Sequence, residues 1–346
     1  MTLHRELLDA LRCPSCAASL VGEGPGQELS GLRCTSCGLR VPVADGIPRF
    51  VREPQDDLAR RTQASFGYEW THFTDWRESG ETNFNDYFAG LDLSSLRDSL
   101  VLDGGCGMGR HARQMAPFAR HVIAMDFSRA IDQAARNTAE CRNVSCMQAD
   151  LLRIPLGDGL FDFVYSLGVL HHLSETDRAL RGLVGKLKPG GRLRVYLYWK
   201  RHGWNGWLLS VVTLARRITI HLPFPVLRAL CWLLSVVLFV AVVVPYRMLS
   251  AAGVRRHQSW PLFIYTKYPF GVLFNDQFDR FSAPLEKRYD PDEVRDLLRA
   301  AGLTDVQVRP CFGWVGDGVK PNLGLPASDS GLQANAMDSG PVMVGR

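Results

Sequence analysis

The chain has 346 residues, 46% apolar and 22% charged, enough for one large domain with smaller attachments and a sizeable core. Lys and Arg number 40 against 35 Asp and Glu, so the net charge is 40 − 35 = +5, and no long Lys/Arg run concentrates it, which weighs against a nucleic-acid module while leaving one open. The first residues alternate charge with leucine and lack an apolar core of signal-peptide length, so no secretion signal is expected, and the reducing cytoplasm is the expected compartment.

Taken in chain order, residues 3–11 read as a short helix, and two cysteine pairs follow. Cys13-Pro-Ser-Cys16 and Cys34-Thr-Ser-Cys37 each present two thiols from one turn, and the seventeen residues between them suffice for a hairpin that brings the turns together. Four soft ligands so spaced predict a structural Zn2+ site with no open position; two disulfides or free thiols are the alternatives. This unit is expected to span 1–52, followed by a polar linker, VREPQDDLARR. Residues 59–98 are aromatic-rich with helix-like pieces.

From 99 to 199, SLVLD, HVIAM, NVSCMQ, FDFVY and RLRVYLY alternate with the amphipathic stretches RHARQMAPFA, SRAIDQAARNT and SETDRALRGLVGKL. That rhythm predicts an α/β fold, a doubly wound and mostly parallel sheet with helices on both faces. VLDGGCGMGRHA (101–112) places Gly105, Gly107 and Gly109 between a strand and a helix, where the backbone must turn tightly and approach a ligand. A dinucleotide fingerprint would want glycine where Arg110 stands, and Asp103 before the loop would repel a pyrophosphate and suits a cationic ligand better. Asp126 ends the second strand, where an acid can accept from ribose hydroxyls, and Asp150 ends the third. Cys106 reads as small and packed rather than nucleophilic.

The first of these blocks, residues 5–50, resembles the small zinc-ribbon family whose members activate methyltransferases, with Val41 where that family has tyrosine. The second, 99–199, resembles the class I, Rossmann-like S-adenosylmethionine-dependent methyltransferases of the quinone-methylase-like, type 11 kind; VLDGGCGMG and FDFVYSLGVLHHL carry the likeness. The resemblance implies a seven-stranded-type sheet, S-adenosyl-L-methionine as cofactor, and a methyl-transfer activity. It implies that Asp103, Gly105, Cys106, Gly107 and Gly109 border the methionine end. It places Asp126 and Phe127 at the ribose, and Asp150 with the Leu151 backbone at the adenine. SFGYEWTHF resembles the lid segment that precedes the fold in such enzymes, making Tyr68 and Trp70 lid or substrate residues, with plain packing as the alternative. His171 and His172 follow the fourth strand, where one can serve as base or orient the substrate. Tyr198, Trp199 and Lys200 end the fifth and are candidates to line the acceptor pocket.

Residues 201–279 interrupt the fold as an insertion at the active-site rim, and 226–244 within it are apolar apart from Arg228. A membrane-spanning helix wants about 20 such residues. Arg216, Arg217 and Arg228 before, and Arg247, Arg255 and Arg256 after, favour helices lying in a headgroup region. A single crossing would strand the return path on the wrong side. Residues 201–250 are thus expected to meet a membrane surface or a greasy substrate, with a buried cap or homodimer contact as the alternative. Residues 57–200 and 280–320 form the expected methyltransferase core, with an Asp290-capped helix at 290–302 and a strand at 304–312; the tail 321–346 is expected to be disordered. The expected function is methyl transfer to a small hydrophobic acceptor (a lipid, quinone-like ring or secondary metabolite) in the cytoplasm, peripherally on the inner membrane face. RNA methylation, or service as a non-catalytic cofactor-binding activator, are the rivals.

Overall fold

The structure is a computed structural model that describes residues 3–24, 29–51, 57–73, 80–200, 203–254, 260 and 262–322. It opens with α1 (Arg5–Ala10) and a four-stranded antiparallel ribbon, β1 (Leu20–Glu23), β2 (Gly31–Cys34), β3 (Arg40–Ala44) and β4 (Ile47–Pro48). The ribbon is too small to bury its own apolar side chains. Leu7, Leu11, Leu32 and Val41 instead join the hydrophobic cluster that covers one face of the main sheet. Backbone bonds fix the seam: Arg12 N–H donates to Pro155 O at 2.9 Å, Gly157 N–H to Ala10 O at 2.8 Å, and Phe50 N–H to Gln148 O at 2.8 Å.

α2 (Asp57–His72) starts inside the stretch expected as a linker: Leu58 through Trp70 hold no proline, and packing of Ser65 and Glu69 into the interior one turn apart carries the helix through Gly67. α3 (Gly80–Phe88) follows. The main sheet then assembles from β5 (Leu100–Gly104), α4 (Arg110–Met115), β6 (His121–Asp126), α5 (Ala130–Asn137), β7 (Val144–Gln148), β8 (Phe161–Leu167), α6 (Thr176–Lys186) and β9 (Leu187–Leu197). These five strands pair in parallel. Alternate residues face opposite layers: Val101 and Phe163 pack on one side, Leu102 and Val164 on the other, all fully buried.

The helical insertion comprises α7 (Gly203–Thr219), α8 (Phe224–Leu238), a π-helical turn (Phe239–Val243), α9 (Val244–Ala251) and α10 (Phe270–Ser282). The wider π turn lets the helix run on past Pro245, which has no N–H to donate. Phe224–Ala251 is therefore one 28-residue helix, long and apolar enough to cross a membrane by length and composition, with only 22% of its most apolar window buried. It packs on α10 through Leu227, Cys231 and Phe278. The basic flank expected at a membrane is reduced. Arg216 is 6% exposed and ion-paired with the buried Glu286, because its guanidinium also caps the end of α10 at Arg280 O. Arg228 lies over the Phe73 ring. Arg217 and Arg247 stay exposed, and Arg255 and Arg256 fall outside the described residues.

α11 (Pro291–Ala300) carries a capping box between Asp290 and Glu293. β10 (Thr304–Pro310) leads to β11 (Trp314–Val319), a strand the pattern does not announce because Gly316, Asp317 and Gly318 break its apolar alternation. β11 inserts antiparallel between β10 and β9, giving the order β10–β11–β9–β8–β5–β6–β7. Strand order reverses between β5 and β8, and the crevice at such a switch point is where open sheets bind ligands. The expected disorder of the tail lies, from residue 323, outside the described residues.

Candidate active site and metal centre

The glycine loop leaves β5 at that switch point with Gly105, Gly107 and Gly109 at φ of 90°, 54° and 77°. A Cβ at Gly105 would meet Val169 Cγ2 at 2.4 Å, and one at Gly107 would press on the Trp70 indole nitrogen at 3.3 Å. Glycine is thus needed for close approach of the β8 exit and the α2 roof as well as for the turn. Above the loop lies a cavity open on one side, with the strand ends as floor and α2 as roof.

Asp103 is 2% exposed below the loop, and accepts from the Tyr165 hydroxyl at 3.0 Å. Burial, reinforced by the nearby Asp126, pushes its carboxyl up to about 8. A cation bound above the loop would restore its charge. Asp126 accepts from Gly107 N–H at 2.8 Å with one oxygen, and from Ser128 N–H at 2.8 Å and Ser128 Oγ at 2.7 Å with the other. Of roughly four lone-pair positions on a carboxylate, that leaves about one, room for a single hydroxyl from a ligand. Phe127, Asp150 and Leu151 line the same end, and Asp150 is steadied by Leu152 N–H at 2.8 Å. Cys106 is buried and its thiol is held well above the ordinary range, first by burial and then by Asp103, so it stays protonated and packed.

The α2 roof divides its aromatics. Trp70 and Phe66 line the cavity, and Arg110 lies 5.4 Å over the Trp70 ring. Tyr68 points away, into Phe224 and Phe278 of the insertion. The histidine pair divides as well. His172 is on the cavity wall; His171 is fully buried behind it, against the Tyr198 ring at 3.9 Å, with burial holding its imidazole far below its usual range. His171 is therefore a neutral packed ring, unsuited to act as the base. Tyr198 donates to Asp279 at 2.9 Å beside His172. Trp199 packs edge-on to Trp314, and Lys200 pairs with Glu293, both away from the cavity.

Two residues passed unremarked in the sequence, Glu69 and Asp279, whose signal is an acid in a helical stretch rich in aromatics; Arg110 stands out there only as a departure from the dinucleotide fingerprint.

The four thiols of Cys13, Cys16, Cys34 and Cys37 converge, with Sγ–Sγ distances of 3.5 Å for Cys13–Cys37 and 3.4 Å for Cys16–Cys34. All are free. Tetrahedral Zn2+ at about 2.3 Å from each sulfur spaces them by about 3.8 Å, so the donor set and spacing fit that ion. The Cys37 N–H, then the Ser36 N–H, hold the Cys34 thiol down at about 6, as a ligand sulfur requires.

Residues 102–195 match the methyltransferase domain family. A probable tRNA methyltransferase 9B of Mus musculus is 34% identical over 103 residues, 29% of this chain and 22% of that protein. An uncharacterized methyltransferase of Mycobacterium bovis is 34% identical over 113 residues, 32% and 57% of the two chains. The chain thus spans between about a fifth and just over half of the length of such relatives. A solved S-adenosylmethionine-dependent methyltransferase from Mesorhizobium loti shares 28% identity and a TM-score of 0.28 over 32% of this chain and 53% of that one. The match over 102–195 falls on the strands and the glycine loop that carry Asp103 and Asp126, and it is a match to a methyltransferase domain.

Proposed function

We propose that the protein transfers a methyl group from S-adenosylmethionine to a small hydrophobic acceptor, and that it meets this acceptor at a membrane surface. The single observation that carries the acceptor class is a pair of exposed apolar stripes on the insertion. On α7, Trp207, Val211, Leu214 and Ile218 are exposed, and on α8 and the π turn that continues it, Val226, Leu230, Leu233, Val237 and Val240 are. Both sets repeat at steps of three and four residues, so each lines one face of its helix. Apolar patches of this extent on a folded protein mark interaction surfaces. Arg217 and Arg247 nearby suit an anionic, inner leaflet.

The cofactor, when bound, brings an electrophilic sulfonium methyl group and a neutral thioether leaving group. Asp126 would hold a ribose hydroxyl, with Phe127, Asp150 and the Leu151 backbone around the base; Asp103 would face the cationic end. Trp70 and Phe66 would exclude water, and His172 would orient the acceptor or take its proton. Charge is dispersed rather than created in such a transfer, so positioning supplies most of the acceleration. The ribbon would hold structural Zn2+ and brace β7, beside the adenine end. The units 1–52, 57–200, 201–279 and 280–320 are proposed as its working parts.

Liposome flotation of the purified protein, beside a form with residues 201–279 replaced by a short linker, tests the reading. Flotation of the intact protein alone, with methyl label entering an organic extract, is the expected result. A soluble intact protein that labels no organic-phase acceptor would contradict it. The printed name of the mouse relative supports a second reading, methyl transfer to RNA. Salt-sensitive RNA binding with label in the aqueous, nuclease-sensitive fraction would favour it.

A further inference from the structure

We infer that a socket for a primary ammonium group adjoins the cavity at His172, formed by that residue with Asp279 and Glu69 behind it. The inference rests on the methyl-transfer reading and names its acceptor class. His172 Nδ1 lies 2.7 Å from the carbonyl oxygen of Leu285. A carbonyl only accepts, so Nδ1 carries a hydrogen, and in the neutral ring Nε2 keeps a free lone pair. Asp279, on α10, stands opposite. Its Oδ2 accepts from the Tyr198 hydroxyl, while its Oδ1 has no partner among the described residues and lies 4.0 Å from His172 Nε2. Two acceptors therefore face each other across a gap that neither can close. One nitrogen donating bonds of ~2.8 Å to both would span it. A hydroxyl, with a single hydrogen, would leave one acceptor bare.

Glu69 adds the third wall. It is 1% exposed, and its Oε2 is without a partner among the described residues. Phe66, one turn earlier on α2, packs edge-on to the His172 ring at 4.9 Å, so Glu69 shares the face that meets the histidine. Burial, and next the repulsion of Asp279, hold the Glu69 carboxyl well above its ordinary range. A cation between the two carboxyls relieves both effects at once. The ring of Tyr198 beside Asp279 adds an aromatic wall.

In the reaction, the ammonium group gives one proton to His172 Nε2. The freed nitrogen lone pair forms the N–C bond to the sulfonium methyl, the C–S bond breaks, and its electron pair stays on sulfur as the neutral thioether. The product is the methylated ammonium ion, and the proton on His172 passes to water.

Dodecylamine and dodecanol differ only in this group, and serve as probes on the full chain without methyl donor. Calorimetric titration and thermal melting are expected to show dodecylamine binding ~10-fold or more tightly than dodecanol. Glu69→Gln and Asp279→Asn are each expected to lower amine affinity ~10-fold while leaving S-adenosylhomocysteine affinity unchanged. Equal binding of amine and alcohol by the unaltered protein would overturn the socket, as would variants that bind S-adenosylhomocysteine and still hold the amine fully. A variant that fails to fold leaves the decision to the amine–alcohol comparison. Vesicles of phosphatidylcholine with and without phosphatidylethanolamine separate a lipid headgroup from a free amine. Methyl label in the ethanolamine lipid assigns the former, and amine binding without such label the latter. Failure of S-adenosylhomocysteine to bind would sink the methyl-transfer reading alone, since amine preference is measured without it.

Discussion

Asp103 concentrates the electrostatics of the site in a single carboxyl. Its folded pKa, up at about 8, stands above the ordinary value of 3.8, so the native state holds a proton that the unfolded chain has lost. Stability is accordingly greatest below the unfolded value and is lost as pH rises towards 8. Asp103→Asn keeps an acceptor for the Tyr165 hydroxyl and removes the buried charge. It is expected to stabilise the cofactor-free protein by ~1–3 kcal/mol at pH 8.5, with little change below about pH 4, as read by denaturant melts. The same variant should bind S-adenosylmethionine ~10-fold more weakly at pH 8 and lose part of the proton release seen by calorimetry in buffers of differing ionisation enthalpy. Proton release equal to that of the unaltered protein would show that Asp103 does not face the cation. Asp103 was legible as a candidate because a strand end and a glycine loop are local features of the sequence. Glu69 and Asp279 were not, since their meeting joins α2 to α10 across 210 residues of sequence and depends on how an insertion folds back.

The elements divide by where their apolar faces go. Helix α8 gives Leu227, Cys231 and Ser235 to the protein and turns Val226, Leu230, Leu233 and Val237 outward. Leu233→Lys with Val237→Lys should therefore leave unfolding free energy within about 0.5 kcal/mol and abolish flotation on anionic vesicles. A large loss of stability would mean that the stripe is internal after all. The ribbon makes the opposite commitment: its leucines complete the core of the main sheet, and Phe50 pairs with Gln148 at the end of β7, two residues from Asp150. Cys34→Ser is expected to lower Tm by ~2–4 °C for each kcal/mol lost and to weaken cofactor binding as well. Unchanged cofactor affinity in a destabilised protein would confine the ribbon to stability. An apolar run announced α8 in the sequence, and cysteine spacing announced the ribbon. What they could not announce is the partner, because a 3.6-residue repeat marks a face without saying what covers it.

At the scale of the whole molecule, the sheet supplies the floor of the cavity and α2 its roof, while α10 of the insertion brings Asp279 up behind the wall at His172. The order of strands and the glycine loop were readable because periodicity and turn chemistry are local. The fate of Arg216 was not: it was expected to flank a membrane and instead caps α10 and pairs with Glu286, a contact set only by tertiary packing. β11 escaped notice for a related reason, since its glycines are tolerated only by neighbours on both sides. All of these parts have a function only if the cavity over β5 and β6 holds the methyl donor. Calorimetric titration of S-adenosylmethionine into the full chain and into Asp126→Ala asks this outright. One-to-one binding by the unaltered protein, weakened ~10–100-fold in the variant, is the predicted result. No binding, or equal binding by both proteins, would contradict it.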